Sequence, residues 1–149
     1  MRAFPSSRRY PHFNAGSLAS WLPAAGIQYA GFTSLGGRRR PVPGSVNSGW
    51  RDAAFQGYAD YMASSPQFAA ALAELEALAG AVPTAVMCAE AVWWRCHRRL
   101  IADALTVRGW KVLHLGVGDS PAPHELTPFA VLIDGELRYP PSQRSLLQG

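Results

Sequence analysis

The sequence contains few cysteines and no long apolar run, and these absences exclude several large classes of protein. Of its 149 residues only two are cysteines, Cys88 and Cys96, too few for the disulfide framework of a small secreted domain. No apolar run approaches the roughly 20 residues that span a bilayer. The first arginines are not followed by the apolar segment of a signal peptide. We therefore expect a cytoplasmic protein with free thiols and no membrane partner.

Acidic residues and lysine are also scarce. No acidic residue precedes Asp52, and Lys111 is the only lysine, so arginine carries almost all of the positive charge behind the net +4. Guanidinium groups bind phosphate and carboxylate through a planar bidentate fork. This bias indicates an anionic partner such as a nucleotide or nucleic acid, although a GC-rich genome would also favour arginine over lysine.

The hydrophobic pattern predicts one α/β domain over residues 1–149. Spacings of three and four predict helices over 15–25, 50–63, 66–80 and 96–108, and β-branched or apolar runs predict strands over 27–32, 84–88 and 110–115. The last two strands flank a helix, as in a βαβ unit with parallel strands. Residues 124–129 suggest a single helical turn. Asp134-Gly135 predicts the turn of a hairpin between residues 131–133 and 137–139.

Two segments are expected to be irregular. Residues 36–49 are rich in glycine, proline, arginine and serine, which predicts an exposed, mobile loop able to close over a ligand. That loop carries Arg38, Arg39 and Arg40. Residues 140–149 are expected to be a frayed tail.

The most informative stretch runs from residue 84 to residue 109. Cys88 ends the predicted strand, and Cys96 begins the predicted helix. In open α/β sheets, ligands bind where strands end and helix N-termini present unpaired N–H groups. A helix start and the neighbouring arginines Arg95, Arg98 and Arg99 lower the pKa of a thiol. We therefore expect Cys96 to be a partly exposed, reactive thiol and Cys88 to react more slowly.

Each neighbouring side chain has a structural alternative to a functional role. Cys88 can be a small hydrophobe at the end of a strand. His97 and His114 can act as general bases or bind anions, or they can hydrogen-bond to backbone carbonyls. Glu90 can accept a proton or cap a helix. Of the adjacent tryptophans, one can pack in the core while the other, Trp94, stacks on a ligand.

The cysteine spacing argues against a metal centre. The pattern C-x7-C-H matches no common zinc signature, since structural zinc sites bring C-x2-4-C knuckles. A metal ion would need Glu90 and His114 as further ligands. We therefore expect no metal ion and no other cofactor.

Several segments resemble the domain-of-unknown-function 488 family. They are PSSRRYPHFN, YAGFTSLGG, CAEAVWWRCHRRLIADAL, KVLHL, HELTPFA and Tyr139-Pro140, which together span nearly the whole chain. The resemblance implies a Rossmann-like three-layer α/β sandwich with a mostly parallel sheet, but no settled reaction. The residues that match the recurring pattern of the family are Arg2, Pro5, Ser7, Arg8, Leu35, Gly36, Gly37, Cys88, Glu90, Cys96, His97, Arg98, Asp103 and His114.

The start of the chain departs from that family. There, a strand, a helix and a second strand precede the arginine that matches Arg2, whereas this sequence begins with Met1. We expect an N-terminally shortened form, or a start codon assigned too far downstream. A full-length protein would then carry roughly 30 more residues, the size of one βαβ unit.

Two functions remain open from the sequence. The first is an enzyme acting on a phosphate-bearing substrate such as a nucleotide or a nucleic-acid base. The second is a non-catalytic module that binds nucleotides or nucleic acid through arginine and tryptophan. In both, Arg8, Arg9 and Arg98 are expected to converge on one anion. The candidate catalytic residues are Cys96, His97, Glu90 and Cys88, and the candidate ligand-binding residues are Arg2, Ser7, Arg8, Arg9, Arg98, His114 and Trp94.

Overall fold

The computed structural model describes residues 8–116 and 118–141. Over this part of the chain, helices provide most of the regular structure, and the strands are short. The helices are α1 (Ala15–Ala24), α2 (Ala53–Ser64), α3 (Pro66–Ala81) and α4 (Arg98–Val107). The strands are β1 (Leu113–His114), β2 (Ala122–Pro123), β3 (Val131–Ile133) and β4 (Glu136–Arg138), and single 3-10 turns lie at Pro11–Phe13, Thr33–Leu35 and Trp93–Arg95. None of the helices in the described ranges is long and apolar enough to cross a membrane.

The helices begin where local sequence signals place them. The Asp52 carboxylate accepts a hydrogen bond from the N–H of Ala54 at 2.7 Å and so caps α2. The Ser65 hydroxyl accepts the N–H of Phe68 at 3.2 Å and caps α3. Pro66 fits the first turn of α3, where no intrahelical N–H bond is lost. All four predicted helices are confirmed, with ends shifted by a few residues.

The core lies between α2, α3 and α4. Tyr58 of α2, Leu72 of α3 and Leu100 of α4 are all buried there. Trp50 and Tyr139 complete the core with their ring centroids 5.2 Å apart. Because burial of apolar surface is the main force holding these helices together, the N-terminus of α4 is fixed relative to α2.

The expectation of a Rossmann-like sandwich with a mostly parallel sheet was wrong. The described strands form two separate antiparallel pairs, β1 with β2 and β3 with β4. Residues 27–32 and 84–88 form no strand. A parallel strand needs hydrogen-bonded neighbours and helices on both faces. Most of the residues in these runs instead lie at the surface, with Ile27 and Met87 exposed, while Phe32 packs in the core.

The two-stranded pairs replace the predicted crossover. Only Leu113–His114 of the predicted strand over 110–115 is extended and paired, and His114 lies opposite Ala122 in an antiparallel register. The chain turns back on itself after β1, so the predicted βαβ unit was wrong, and residues 124–129 form no helical turn. The hairpin was predicted correctly. Asp134 (φ 51°) and Gly135 (φ 80°) both have the positive φ that a tight hairpin turn requires.

The arginine-rich segment 36–49 is attached to α2 through Asp60. One carboxylate oxygen accepts the N–H of Val42 at 2.9 Å. The other accepts the Ser45 hydroxyl at 2.6 Å and the Asn47 side-chain amide at 2.8 Å. These bonds fix the second half of the segment. Its closure over a ligand stays a prediction, and most of the expected frayed tail, residues 142–149, lies outside the described residues.

The glycine at position 57 lets this segment approach α2. A Cβ atom added to Gly57 would lie 2.6 Å from the carbonyl oxygen of Arg39 and against the backbone of Arg40. Backbone atoms held by other contacts cannot yield as a flexible side chain does. The close approach therefore requires glycine at this helical position.

We predict that Gly57→Ala destabilises the fold by about 1–3 kcal/mol, the usual cost of overpacking. Thermal unfolding of the variant measures the change. Gly16→Ala in α1 is the matched control, because nothing lies within 4 Å of the added Cβ and alanine is the better helix former. Equal melting temperatures for wild type and Gly57→Ala would contradict the packing described here.

Candidate functional site

The N-terminus of α4 positions the second cysteine. The 3-10 turn Trp93–Arg95 redirects the chain, and the N–H of Cys96 bonds to the carbonyl of Trp93 at 3.2 Å. His97 is the N-cap residue, so the helix begins two residues later than predicted. The Cys96 Sγ accepts the backbone N–H of Arg98 at 3.4 Å. The sulfur therefore lies at the positive end of the helix dipole.

Cys88 and Cys96 are free cysteines whose sulfur atoms are in contact, with Sγ atoms 2.6 Å apart. The Nε of Arg98 donates to the Cys96 Sγ at 3.4 Å, and the Nδ1 of His97 lies 3.5 Å from it. On the other side, the N–H of Glu90 donates to the Cys88 Sγ at 3.3 Å. The N–H groups of Glu90 and Arg98 and the Arg98 guanidinium donate to the sulfurs, and such donors stabilise negative charge.

The contact between the two sulfurs shifts their pKa values in opposite directions. The thiol of Cys88 donates a hydrogen bond that lowers the pKa of Cys96 to about 3, with further help from His97 and the N–H of Arg98 against the opposing effect of burial. The same hydrogen bond raises the pKa of Cys88, because the neighbouring thiolate holds its proton, and burial adds to this. These shifts predict a thiolate on Cys96 and a thiol on Cys88 near neutral pH.

Burial distinguishes the two cysteines in the opposite order from the one expected. Cys96 is 2% exposed, so the expectation of a partly exposed Cys96 was wrong, while the direction predicted for its pKa agrees with the structure. Cys88 is half-buried and is the more accessible sulfur. Cys96 is covered because the start of α4 packs against the core rather than projecting from a sheet edge. The expected slower reaction of Cys88 stays a prediction.

The beginning of the arginine-rich segment also lies at this site. A Cβ atom added to Gly37 would lie 2.8 Å from the Nδ1 of His97. The ring centroid of Tyr58 lies 5.1 Å from that of His97, and the Tyr58 hydroxyl donates to the carbonyl of Leu35 at 2.8 Å. The segment expected to close over a ligand therefore starts next to the Cys88–Cys96 dithiol.

A pocket of about 530 Å³ is lined by the part of the loop that follows Cys88. Glu90 links this pocket to Cys88. It lines the pocket, and its backbone N–H donates a hydrogen bond to the Cys88 Sγ. Trp94 is 41% exposed and also lines the pocket. Its neighbour Trp93 is half-buried, as expected for one of the two tryptophans. The lining residues are Asp52, Phe55, Glu90, Ala91, Val92, Trp94 and Arg95.

A second cluster of polar side chains lies between α4 and the β1–β2 pair. The Nε2 of His124 lies 2.8 Å from Asp103 Oδ1, and the Nδ1 of His124 lies 2.8 Å from the Nε2 of His114. Asp103 also accepts the N–H of Thr127 at 2.9 Å and the hydroxyl of Tyr139 at 2.9 Å. The side chains of Asp103 and His124 are completely buried.

His124 is the site residue that sequence reasoning missed. It was assigned to a helical turn, whereas its N–H bonds to the carbonyl of Val112 beside the β1–β2 pair. Reading residues 113–123 as an antiparallel hairpin would have placed His114 and His124 side by side. His114 was found at a strand end, but its partner there is a second histidine and not a backbone carbonyl.

The arginines expected to bind one anion differ in exposure. Arg8 and Arg9 are exposed, whereas Arg98 is half-buried. Arg98 donates to the carbonyls of Glu90 and Ala91 in addition to the Cys96 sulfur. Its guanidinium therefore holds the cysteine loop in place. The convergence of these arginines on one anion stays a prediction, and Arg2 and Ser7 lie outside the described residues.

Cys88, Cys96 and His97 are also the side chains that could hold a metal ion, since their ligand atoms all lie within 4.8 Å of one another. Zn–S bonds of about 2.3 Å in tetrahedral geometry place two sulfurs roughly 3.7 Å apart. The observed separation of 2.6 Å is too short for that arrangement.

We predict that Cys88→Ala raises the pKa of Cys96, because the largest stabilising contact of the thiolate is lost. The ultraviolet absorbance of the thiolate, followed against pH, measures this. Cys88→Ser keeps a hydroxyl donor and should shift the pKa less, and the exposed Thr84→Ala is the control. An unchanged titration of Cys96 in Cys88→Ala would contradict this role of Cys88.

The same pair makes stability depend on pH. Unfolded cysteines lose their protons near pH 8.5, whereas the pKa of Cys96 in the fold is about 3. Between these values the folded protein binds one proton fewer than the unfolded chain. Its stability should therefore increase as the pH rises from about 3 and decrease as the pH falls. Denaturant unfolding at several pH values measures the slope, which Cys96→Ala should reduce.

Comparison with known proteins places the chain in a family. Residues 1–105 match the family described as Domain of unknown function DUF488. No curated protein and no solved structure matches the chain significantly. The matched region includes the whole cysteine loop and most of α4. Because the match covers more than two thirds of the sequence, the chain belongs to the DUF488 family, as the resemblance of its CAE and CHR segments indicated.

Proposed function

We propose that this protein is an enzyme that uses the Cys88–Cys96 dithiol as a nucleophile on a substrate carrying a nucleotide-type anionic group. The observation that carries the proposal is the contact between two free cysteine sulfurs at the N-terminus of α4, beside Arg98. The thiolate is the reactive form of cysteine, and an unperturbed thiol is only a few per cent ionised at neutral pH. In the dithiol, the Cys96 thiolate can take the proton of Cys88 as Cys88 reacts, so no external base is needed.

Accessibility assigns the two sulfurs different tasks. Cys88 is half-buried and can reach a substrate, while Cys96 is buried. As the Cys88 sulfur forms a bond to the electrophilic atom, its proton passes to the Cys96 thiolate. The bond to the leaving group breaks, and Cys96 returns the proton to that group. The step ends with a covalent intermediate on Cys88 and a thiolate again on Cys96, next to Arg98.

The pocket beside Cys88 supports the choice of substrate class. Its volume of about 530 Å³ lies in the range usual for small-molecule sites. The exposed ring of Trp94 offers a face on which a base can stack. Arg95 offers a guanidinium to a phosphate, and the carboxylates of Asp52 and Glu90 can accept hydrogen bonds from amino groups of a base.

A second candidate function is a non-catalytic module that binds nucleotides or nucleic acid. The exposure of Trp94 and Arg95 favours it, because both side chains are available to a ligand that never reaches the sulfurs. This module would need only the pocket. The enzyme needs the pocket and the dithiol together.

Because Cys96 is buried, we predict, against the order expected from the sequence, that iodoacetamide alkylates Cys88 near neutral pH. Adenosine or uridine monophosphate should slow this reaction several-fold. Mass spectrometry of the modified peptide measures the rate. Trp94→Ala and Arg95→Gln should remove the protection because each deletes a contact in the pocket. Lys111→Gln is the control, since it removes one exposed positive charge away from the pocket lining.

The outcomes separate the two candidates. Quenching of tryptophan fluorescence by the nucleotides, with thiols that iodoacetamide does not modify, would indicate the binding module. Rapid alkylation that neither nucleotide slows would contradict the proposed substrate class. Thiols as slow as an unperturbed cysteine would contradict the proposed nucleophile.

A further inference from the structure

The guanidinium of Arg39 is half-buried and has no counter-charge among the described residues. It stacks on the ring of Tyr61, with its central carbon 3.7 Å from the ring centroid. Its Nε is buried and has no hydrogen-bond partner in the part of the chain that the structure describes. No ion pair among those residues includes Arg39. Stacking and burial therefore withdraw part of this charge from water, and none of the described acceptors replaces the lost hydration.

Contacts with α2 hold Arg39 and its stacking partner in place. A Cβ atom added to Gly57 would lie 2.6 Å from the Arg39 carbonyl oxygen, so the backbone of Arg39 packs directly on the helix. Tyr61 belongs to α2, and its hydroxyl donates to the carbonyl of Ser34 at 2.9 Å. An anion that binds the guanidinium therefore meets a side chain whose freedom is already restricted, which lowers the entropy cost of binding.

A pocket of about 420 Å³ lies beside this guanidinium, and the described side chains that line it carry hydrogen-bond donors and no carboxylate. They are Thr33, Ser34, Arg39, Tyr61 and Gln67. The Gln67 Oε1 accepts the hydroxyl of Ser65 at 3.0 Å, which leaves the amino group of Gln67 as a donor. The hydroxyls of Thr33 and Ser34 can donate as well. The pocket therefore offers a ligand one positive charge and several donors.

We infer that this pocket binds a phosphate group, either as the free anion or as a small phosphate monoester. Its donors come from the 3-10 turn Thr33–Leu35, from the arginine-rich segment and from the first turn of α3. Donors on several sides suit the tetrahedral oxygens of phosphate better than the two coplanar oxygens of a carboxylate. The first turn of α3 holds no acidic residue, so the helix dipole adds to the positive potential.

The inference goes beyond the proposed function, because this pocket and the pocket lined by Trp94 and Arg95 share no lining residue. The two nevertheless lie on either side of one short stretch of chain. Gly37, against which the ring of His97 packs, precedes Arg39 by two residues. A phosphate bound at Arg39 would hold the start of the arginine-rich segment in place beside the dithiol.

The site is tested by isothermal titration calorimetry of the whole chain with inorganic phosphate and with glycerol phosphate, each against sodium chloride of equal ionic strength. We expect both phosphates to bind the wild type. Arg39→Gln should weaken both at least about 10-fold, because it removes the charged donor. Arg40→Gln is the matched control, since it removes the same charge from the adjacent, exposed residue, which is not among the lining residues.

Thr33→Val keeps the test independent of any effect of Arg39 on folding. It removes one donor at an exposed position and keeps the shape of the side chain, so we expect several-fold weaker binding at an unchanged melting temperature. Absence of binding to the wild type, or wild-type affinity in both Arg39→Gln and Thr33→Val, would overturn the inference. Sodium acetate that binds as tightly as phosphate would overturn the choice of ligand.

Arg95→Gln keeps the failures of the two proposals apart. Phosphate binding should survive in this variant, because Arg95 lines the other pocket. Binding that is lost in Arg95→Gln and kept in Arg39→Gln would place the phosphate in the pocket of the proposed function and would overturn this inference alone. Intact phosphate binding at Arg39, with nucleotides that do not slow the alkylation of Cys88, would contradict the proposed substrate class alone.

Discussion

One buried carboxylate holds the parts of this protein together. Asp103 has no exposed side-chain surface and accepts hydrogen bonds from His124, Thr127 and Tyr139. Removing a carboxylate from water costs several kcal/mol unless hydrogen bonds replace the lost hydration. The two segments that supply these donors, one with His124 and Thr127 and one with Tyr139, must therefore lie against α4. This constraint matters because two-stranded pairs are marginal on their own.

The dithiol and the Asp103–histidine cluster both lie against α4. Arg98 begins α4, and Asp103 follows five residues later, about 7.5 Å along the axis at 1.5 Å per residue. The dithiol lies at the positive end of the helix, and the Asp103–histidine cluster lies along its side. Since α4 packs into the core, the distance between the two is set by the fold and not by a flexible loop.

Sequence reasoning succeeded for features that neighbouring residues determine. It failed for features that depend on pairing or packing between distant segments. Ser65 before Pro66 and the Asp134-Gly135 turn act through their own neighbours, so the helix start and the hairpin could be predicted. An apolar run such as residues 84–88 has the same composition whether or not a strand lies beside it, so the absence of pairing could not be read from it. The burial of Cys96 depends on packing between α4 and distant segments. The partnership of the two histidines depends on the register of β1 and β2.

The central claim of this account is that the Cys88–Cys96 dithiol holds one proton and one negative charge near neutral pH. Sulfur K-edge X-ray absorption of the unmodified protein tests this most directly, because thiol and thiolate sulfurs absorb at different energies. The three methionines contribute a constant background. The account predicts one thiolate and one thiol per chain near neutral pH, and one thiol in place of the pair in Cys96→Ala. A wild-type spectrum of two protonated thiols would contradict it.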